Sequence, residues 1–460
     1  MKSQMMMGQI PRFDAITVSS KMLRVSSLTK AVVLCLIIPL TAALRNGVAL
    51  TPPMGFANWN IFGCDYDEST FHKLADAMVS SGLRDVGYEY MLVQECIVPL
   101  GARDAVTGVV QPNATKFPHG LTALADYFHA RGLKAGIYTD VAGVTCAGYE
   151  GSGPTLSDPV GHWPIDALTY AQWGFDMIEA DFCNTDGLNR TAFSLYEDMR
   201  QAVAAATAAT GRDVAIYACN WGAEEPWKWA PTVANLFRNT GDICEPGVIS
   251  FTRILYNFDN TIAHTNTPPL AVGLPGTGVG AWNDPDMLGV GMEGISDAEG
   301  RSQFSLWCIL GAPLFLGTDL RSMSPATLAT VANREAISVN QDATSQGFDV
   351  TRTVWPGDKS PPKGVTIYAK PLAGTAAAFG SALAVAVLNR GDAAVTTGVL
   401  IELAPLGFAV AQQITVRDIW ANSTIPRVST SFMTRAIASH ETILLVFNYG
   451  AAAARGEEAL

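Results

Sequence analysis

The stretch Ile178-Glu179-Ala180-Asp181-Phe182 sets carboxylates alternately with apolar side chains inside what reads as a buried strand. Residues two apart on a strand share a face, so Glu179 and Asp181 point the same way. Burying both on one face is costly unless the protein uses them. Similar polar endings recur along the chain, with Glu95 closing "YMLVQE", Asp140 "KAGIYTD" and Asn220 "VAIYACN". Asp242 follows "LFRNTG", and Asp286 lies in "VGAWNDPDM". A ring of acids with few bases and some aromatics suits a sugar: carboxylates accept from hydroxyls, and an aromatic ring covers the apolar sugar face. Glycoside cleavage needs one anionic carboxylate as nucleophile or base and a second holding a proton for the leaving oxygen. Asp181 and Asp242 end strands four and six, on opposite sides of one pocket. Arg238, four residues before Asp242, is placed to keep a carboxylate ionised.

These residues need a scaffold that gathers strand ends. After residue 50 the chain repeats a short β-rich run, a turn and a helical stretch such as "FHKLADAMVSSGL" or "RTAFSLYEDMRQAVAAATAAT". Strand–helix alternation predicts a parallel α/β sheet, and eight rounds fit a (β/α)8 TIM barrel over residues 44–345. Such a barrel carries its active site at the C-terminal ends of the strands, where the polar residues fall. Beyond it, "ALAVAVLNRGD", "QQITVRDIWANSTI" and "ETILLVFNYG" lack a helical period and predict an antiparallel β-sandwich over 346–449. Residues 450–460 read as a disordered tail.

Composition narrows the partners. The 460 residues are 48% hydrophobic and 16% charged, with a net charge of −12, which disfavours nucleic acid and anionic membranes. A basic flank, the apolar run Ala31 to Leu40 and small residues at Thr41-Ala42-Ala43 predict a signal peptide or signal anchor over 1–43. The expected destination is the secretory pathway, outside the cell or in a lysosome- or vacuole-like compartment. Sequons at Asn113, Asn189 and Asn422 suit a secreted glycoprotein. Cys35 lies in the leader, and the other cysteines are odd in number; Cys219 and Cys244 end neighbouring strands and are a further candidate pair. The histidines show no metal-ligand spacing and no glycine loop cradles phosphate, so neither metal nor other cofactor is expected.

The segment "NGVALTPPMGFANWNIFGCDYDE" is similar to the start of the secreted α-galactosidases (melibiases), a family of retaining glycoside hydrolases. "FPHGLTALADYFHARGLKAGIYTDVAGVTCAG", "RNTGDI", "GAWNDPDMLGVG" and "AISVNQD" match that family in order, and "VRDIWANS" resembles its C-terminal β domain. The resemblance implies a carbohydrate substrate, Asp181 as nucleophile and Asp242 as acid/base in a double displacement. It implies sugar contacts at Trp59, Tyr138, Asp140, Arg238 and Asp286, and disulfides Cys64–Cys96 and Cys146–Cys183.

Departures from the family gather in the pocket. Gln94-Glu95-Cys96 stands where two aspartates usually precede the cysteine, Glu179 stands where a lysine precedes the nucleophile, and Asn220 stands for a glutamate. These four positions are still expected to meet the sugar. Glu95 is expected to crowd the exocyclic C6 group, and Glu179 to raise the pKa of Asp181. The leading expectation is an α-galactosidase. The alternatives are a retaining glycosidase of shifted specificity, such as a β-L-arabinopyranosidase, and a catalytically weak sugar-binding homologue.

Overall fold

Eight short apolar segments build one parallel sheet: β1 (Met54–Ala57), β2 (Tyr90–Val93), β3 (Lys134–Asp140), β4 (Met177–Asp181), β5 (Ala215–Cys219), β6 (Leu236–Arg238), β7 (Trp282–Asp284) and β8 (Leu314–Leu316). The computed structural model describes residues 44–245, 248–265, 280–343, 345–355, 361–372, 382–408 and 414–449. The expected leader and tail lie outside the described residues. Spatial order is β8-β1-β2-β3-β4-β5-β6-β7. Just past β7, Leu288 N donates to Phe315 O at 2.7 Å and Gly317 N donates to Leu288 O at 2.9 Å, joining the last strand to the first. The curled sheet is the expected TIM-like barrel.

Alternation in β4 decides which side chains face the axis. Met177 lies in the inner cluster with Tyr90, Leu92, Tyr217 and Phe315, whereas Ile178 and Ala180 belong to the outer core beneath the helices. Glu179 and Asp181 follow Met177 at intervals of two, so they point inward. The ladder sets Glu179 level with Tyr138 and Tyr217, and Asp181 level with Asp140 and Cys219.

Helices α1 (Glu68–Ser80), α2 (Gly120–His129), α3 (Trp163–Gln172), α4 (Ala192–Thr210), α5 (Phe251–Thr265), α6 (Asp297–Leu310), α7 (Pro325–Val331) and α8 (Arg334–Gln341) cover the sheet. Local chemistry fixes their ends. Asp67 and Thr70 form a capping box at α1, Thr191 caps α4, and Gly211 at φ 73° terminates α4 in the left-handed region. Helix α4 also holds β4 in place, since the buried Tyr196 hydroxyl donates to Ala180 O at 3.0 Å. Between β3 and α3 the chain doubles back so tightly that a Cβ on Gly153 would lie 1.6 Å from Val141 O, so only glycine fits there.

Past the barrel, β9 (Phe348–Asp349), β10 (Val365–Leu372), β11 (Ala382–Asn389), β12 (Leu400–Glu402), β13 (Ile414–Asp418), β14 (Ser423–Val428), β15 (Ser431–Met433) and β16 (Thr442–Tyr449) are antiparallel. A six-stranded sheet, β9-β10-β11-β16-β13-β14, faces the pair β12-β15, and Ile367, Val385, Val416 and Leu445 pack with Ile401 and Phe432 between them. One helical turn, Thr351–Val354, interrupts the all-β pattern expected here. The buried Lys370 of β10 crosses the seam to the barrel, its Nζ donating to Val339 O at 2.7 Å and Asn340 O at 3.0 Å at the end of α8.

Candidate active site

A cavity of about 190 Å³ opens at the C-terminal ends of the barrel strands. Asp181 and Glu179 reach it from β4, Gln94 and Glu95 from the end of β2, and Tyr138 from β3. Arg238, Asp242 and Asp286 form the far wall, and Trp59, 38% exposed, stands at the rim. Two disulfides, Cys64–Cys96 and Cys146–Cys183, tie together the loops after β1 and β2 and those after β3 and β4. The positions matched to the family's pairs are thus bonded as expected, whereas Cys219 and Cys244 are free thiols. Cys219 lies inside the barrel near Arg238, while Cys244 lies on a short hairpin opposite Ile249, so neighbouring strands do not bring them together.

Asp181 sits deep. Its Oδ2 accepts the Tyr138 hydroxyl at 2.8 Å and its Oδ1 accepts Phe182 N at 2.9 Å. Burial pushes the carboxyl up to about 7, against the lowering effect of those two donors and of Arg238. Asp242 differs: its side chain is 55% exposed and its Oδ1 accepts Arg238 Nη2 at 3.0 Å. The same guanidinium lies 3.2 Å from Asp286 Oδ1, and Asp286 also accepts Ile243 N and Met287 N. Burial raises the Asp286 carboxyl to about 6, with Arg238 opposing that rise.

The departures from the family pattern meet in space. Gln94 Nε2 donates to Glu179 Oε2 at 2.7 Å. Glu95 lines the cavity, and its carboxylate is held by four donors. Its carboxylate accepts Tyr138 OH at 3.0 Å, Thr145 Oγ1 at 2.8 Å, Ala147 N at 2.9 Å and Cys96 N at 3.3 Å. It therefore acts on the wall loop and on the tyrosine that holds Asp181.

Two expected contact residues do not line the cavity. Asp140 accepts Ala142 N at 2.7 Å and Cys183 N at 3.0 Å, which spends its carboxylate on the loops beneath the wall. Asn220 is fully buried and its Nδ2 donates to Ala223 O at 2.7 Å, bracing the turn after β5. Conversely, Asn60, Cys219 and Met287 line the cavity without having been singled out as contacts. Asn60 and Met287 directly follow Trp59 and Asp286 in the chain, a proximity that could have flagged them.

Backbone strain gathers at this mouth. Glu95 (φ 55°), Cys96 (φ 58°), Trp221 (φ 54°) and Asp286 (φ 86°) are non-glycine residues in the left-handed region. Each such residue costs on the order of 1–3 kcal/mol, and they collect where function demands a side-chain direction that packing alone would not choose. Among the described residues, Asp140, Cys146 and Cys183 are grouped closely enough to invite an ion, but both sulfurs are spent in the disulfide.

The comparisons with known proteins agree with this geometry. Residues 51–342 match a family model described as alpha galactosidase A, and residues 363–447 match the alpha galactosidase C-terminal beta sandwich domain. The chain is 40% identical over 332 residues to alpha-galactosidase A of Cellvibrio japonicus, covering 71% of this chain and 74% of that protein. It is 36% identical over 390 residues to the alpha-galactosidase of Cyamopsis tetragonoloba, covering 84% and 83%. The crystal structure of alpha-galactosidase I from Mortierella vinacea superposes with a TM-score of 0.73 at 29% identity, covering 89% of this chain and 99% of that one.

Proposed function

The chain belongs to the α-galactosidase family of glycoside hydrolases, and on that premise we propose that it removes terminal α-D-galactosyl residues from oligosaccharides or glycoconjugates with retention of configuration. Asp181 attacks the anomeric carbon while Asp242 protonates the leaving oxygen. Water, deprotonated by Asp242, then opens the glycosyl–Asp181 ester. The observation carrying this reading is that the two carboxyls face one cavity from opposite environments. The enclosed Asp181 has its oxygens oriented by Tyr138 and Phe182, whereas the half-exposed Asp242 can exchange protons with solvent. Arg238 links Asp242 to the far wall, and Trp59 at the rim offers its ring face to the sugar. The two disulfides support folding in an oxidising compartment of the secretory route.

The test is Asp181→Ala assayed on aryl α-galactoside and aryl β-L-arabinopyranoside. Loss of the nucleophile should lower kcat on the α-galactoside on the order of 10⁴-fold, with azide restoring part of the rate. Near-normal turnover by folded Asp181→Ala would remove Asp181 from this role, and a wild-type preference for the arabinoside would redirect the substrate. The pH profile adds a second check. Asp181 attacks only when ionised and its carboxyl is raised to about 7, so kcat/KM should fall as pH drops below about 7.

A further inference from the structure

Glu179 is a buried acid facing the sugar cavity beside the nucleophile, and the mechanism above leaves it without a task. We propose that Glu179 holds a proton and presents it through Oε1 to a hydroxyl oxygen of the bound sugar, with the fixed amide of Gln94 deciding which oxygen carries it. The proposal rests on the glycosidase reading for the identity of the ligand, but not for the location of the proton.

The orientation of Gln94 comes first. Its backbone is clamped by Asn58, whose Oδ1 accepts Gln94 N at 2.6 Å and whose Nδ2 donates to Gln94 O at 3.2 Å. Its side-chain Oε1 accepts the backbone N–H of Trp59 at 3.2 Å. Turning the amide over would set NH2 against that N–H and oxygen against a carboxyl. Nε2 therefore faces Glu179 and donates to Oε2. With Oε2 occupied as an acceptor, a proton on this carboxyl belongs on Oε1. Among the described residues Oε1 has no hydrogen-bond partner, and the residue lines the cavity.

The surroundings favour the proton on Glu179 over Asp181. Asp181 shares its strand, Tyr138 and Tyr217 lie level with it on the flanking strands, and Cys219, Asp284 and Tyr196 complete the field. Among the described residues the cation that acts on it most is Arg238, which already serves Asp242 and Asp286. The Tyr217 hydroxyl is committed to Asp284. Asp181 keeps two donors against one for Glu179, which stabilises charge on Asp181 and not on its neighbour. Burial, reinforced by the Asp181 charge, moves the Glu179 carboxyl well above the usual carboxylate range, with Gln94 lowering it between those two effects. Paired acids driven apart in this way divide the labour between a neutral and a charged member. Neutral Glu179 does not repel the nucleophile, and it gives an acceptor-rich cavity a donor. A sugar lacking the matching hydroxyl would leave that donor unpaired and be rejected.

The deciding measurement needs no turnover. Infrared difference spectra of the sugar-free full-length protein at neutral pH, wild type minus Glu179→Gln, should show loss of a carboxylic-acid C=O band. Loss of a carboxylate band instead overturns the proposal. Galactose affinity by calorimetry supplies the second arm. Glu179→Gln keeps an N–H donor and should bind within about tenfold of wild type, whereas Glu179→Leu should lose about 10²-fold. Equal losses in the two variants would refute donation by Glu179. A wild type that shows the acid band yet binds no galactose would keep the proton on Glu179 and overturn the galactoside reading instead.

Discussion

Two guanidiniums with little solvent exposure, on the mouth side of the barrel, are treated in opposite ways. Arg103, in the loop after β2, spends every nitrogen. Its Nη1 and Nη2 grip Asp166 of α3 at 2.7 and 2.8 Å, Nε meets Glu150, and the fork also reaches Gly108 O at 3.1 Å and Gly151 O at 2.9 Å. Arg238, in the cavity wall, divides itself among Thr240 O, Asp242, Asp286 and the Cys219 thiol, and among the described residues its Nε has no partner. A saturated fork fixes a loop, because each bond is made in the folded protein with nothing left to offer. An unsaturated fork beside two acids retains capacity for something that arrives later, at the cost of a buried donor unpaired in the empty protein. Satisfaction thus separates scaffold from site more sharply than burial does, since both residues are nearly inaccessible.

The largest effect expected from this contrast is on stability at Arg103. Arg103→Met strands the fully buried Asp166 without its counter-charge, a loss of about 3–5 kcal/mol. Chemical denaturation should show it, while the folded fraction should keep the acid limb of kcat/KM where it was, because Arg103 does not line the cavity. A shift of that limb would join the bolt to the site and break the distinction. Next comes Arg238→Lys, which keeps the charge but loses the planar fork that spans Asp242 and Asp286. Here kcat/KM should fall on the order of 10²-fold with little change in denaturation midpoint. The reverse pattern, lost stability and intact kinetics, would make Arg238 a second bolt.

Legibility in the sequence followed the same division. The period of two in β4 was enough to put Glu179 and Asp181 on the axis, because a strand buried on both faces has no freedom to rotate one side chain alone. At the strand ends the following turn competes with that rule. Asp140 closes β3 level with Asp181 and Asn220 directly follows β5, yet their polar atoms serve the turn that follows, and strand alternation carries no information about a turn. Asp242, expected to end strand six, lies four residues beyond the last residue of β6, so its approach to Arg238 depends on loop geometry that strand periodicity does not reach. The Gln94–Glu179 bond joins residues 85 apart in sequence, and each looked anomalous because a single chain does not reveal which pairs touch.

The smallest effect lies at the seam between barrel and β domain, where the satisfaction argument can be measured one bond at a time. Trp420 Nε1 donates to Ser305 Oγ at 2.8 Å, and Ser305 Oγ in turn donates to Arg301 O at 2.8 Å. Trp420→Phe removes the donor but keeps an aromatic ring against Phe304, and the serine hydroxyl still has its carbonyl, so the loss should be about 0.5–1.5 kcal/mol. Ser305→Ala removes fewer atoms but leaves the indole N–H of the half-buried Trp420 without its acceptor, and a stranded donor costs about 1–3 kcal/mol. The smaller substitution should therefore do the greater damage, with galactoside kinetics unchanged in both. If Trp420→Phe proved the more destabilising, ring packing and not polar satisfaction would hold the seam, and the contrast drawn from the two guanidiniums would not extend beyond the barrel.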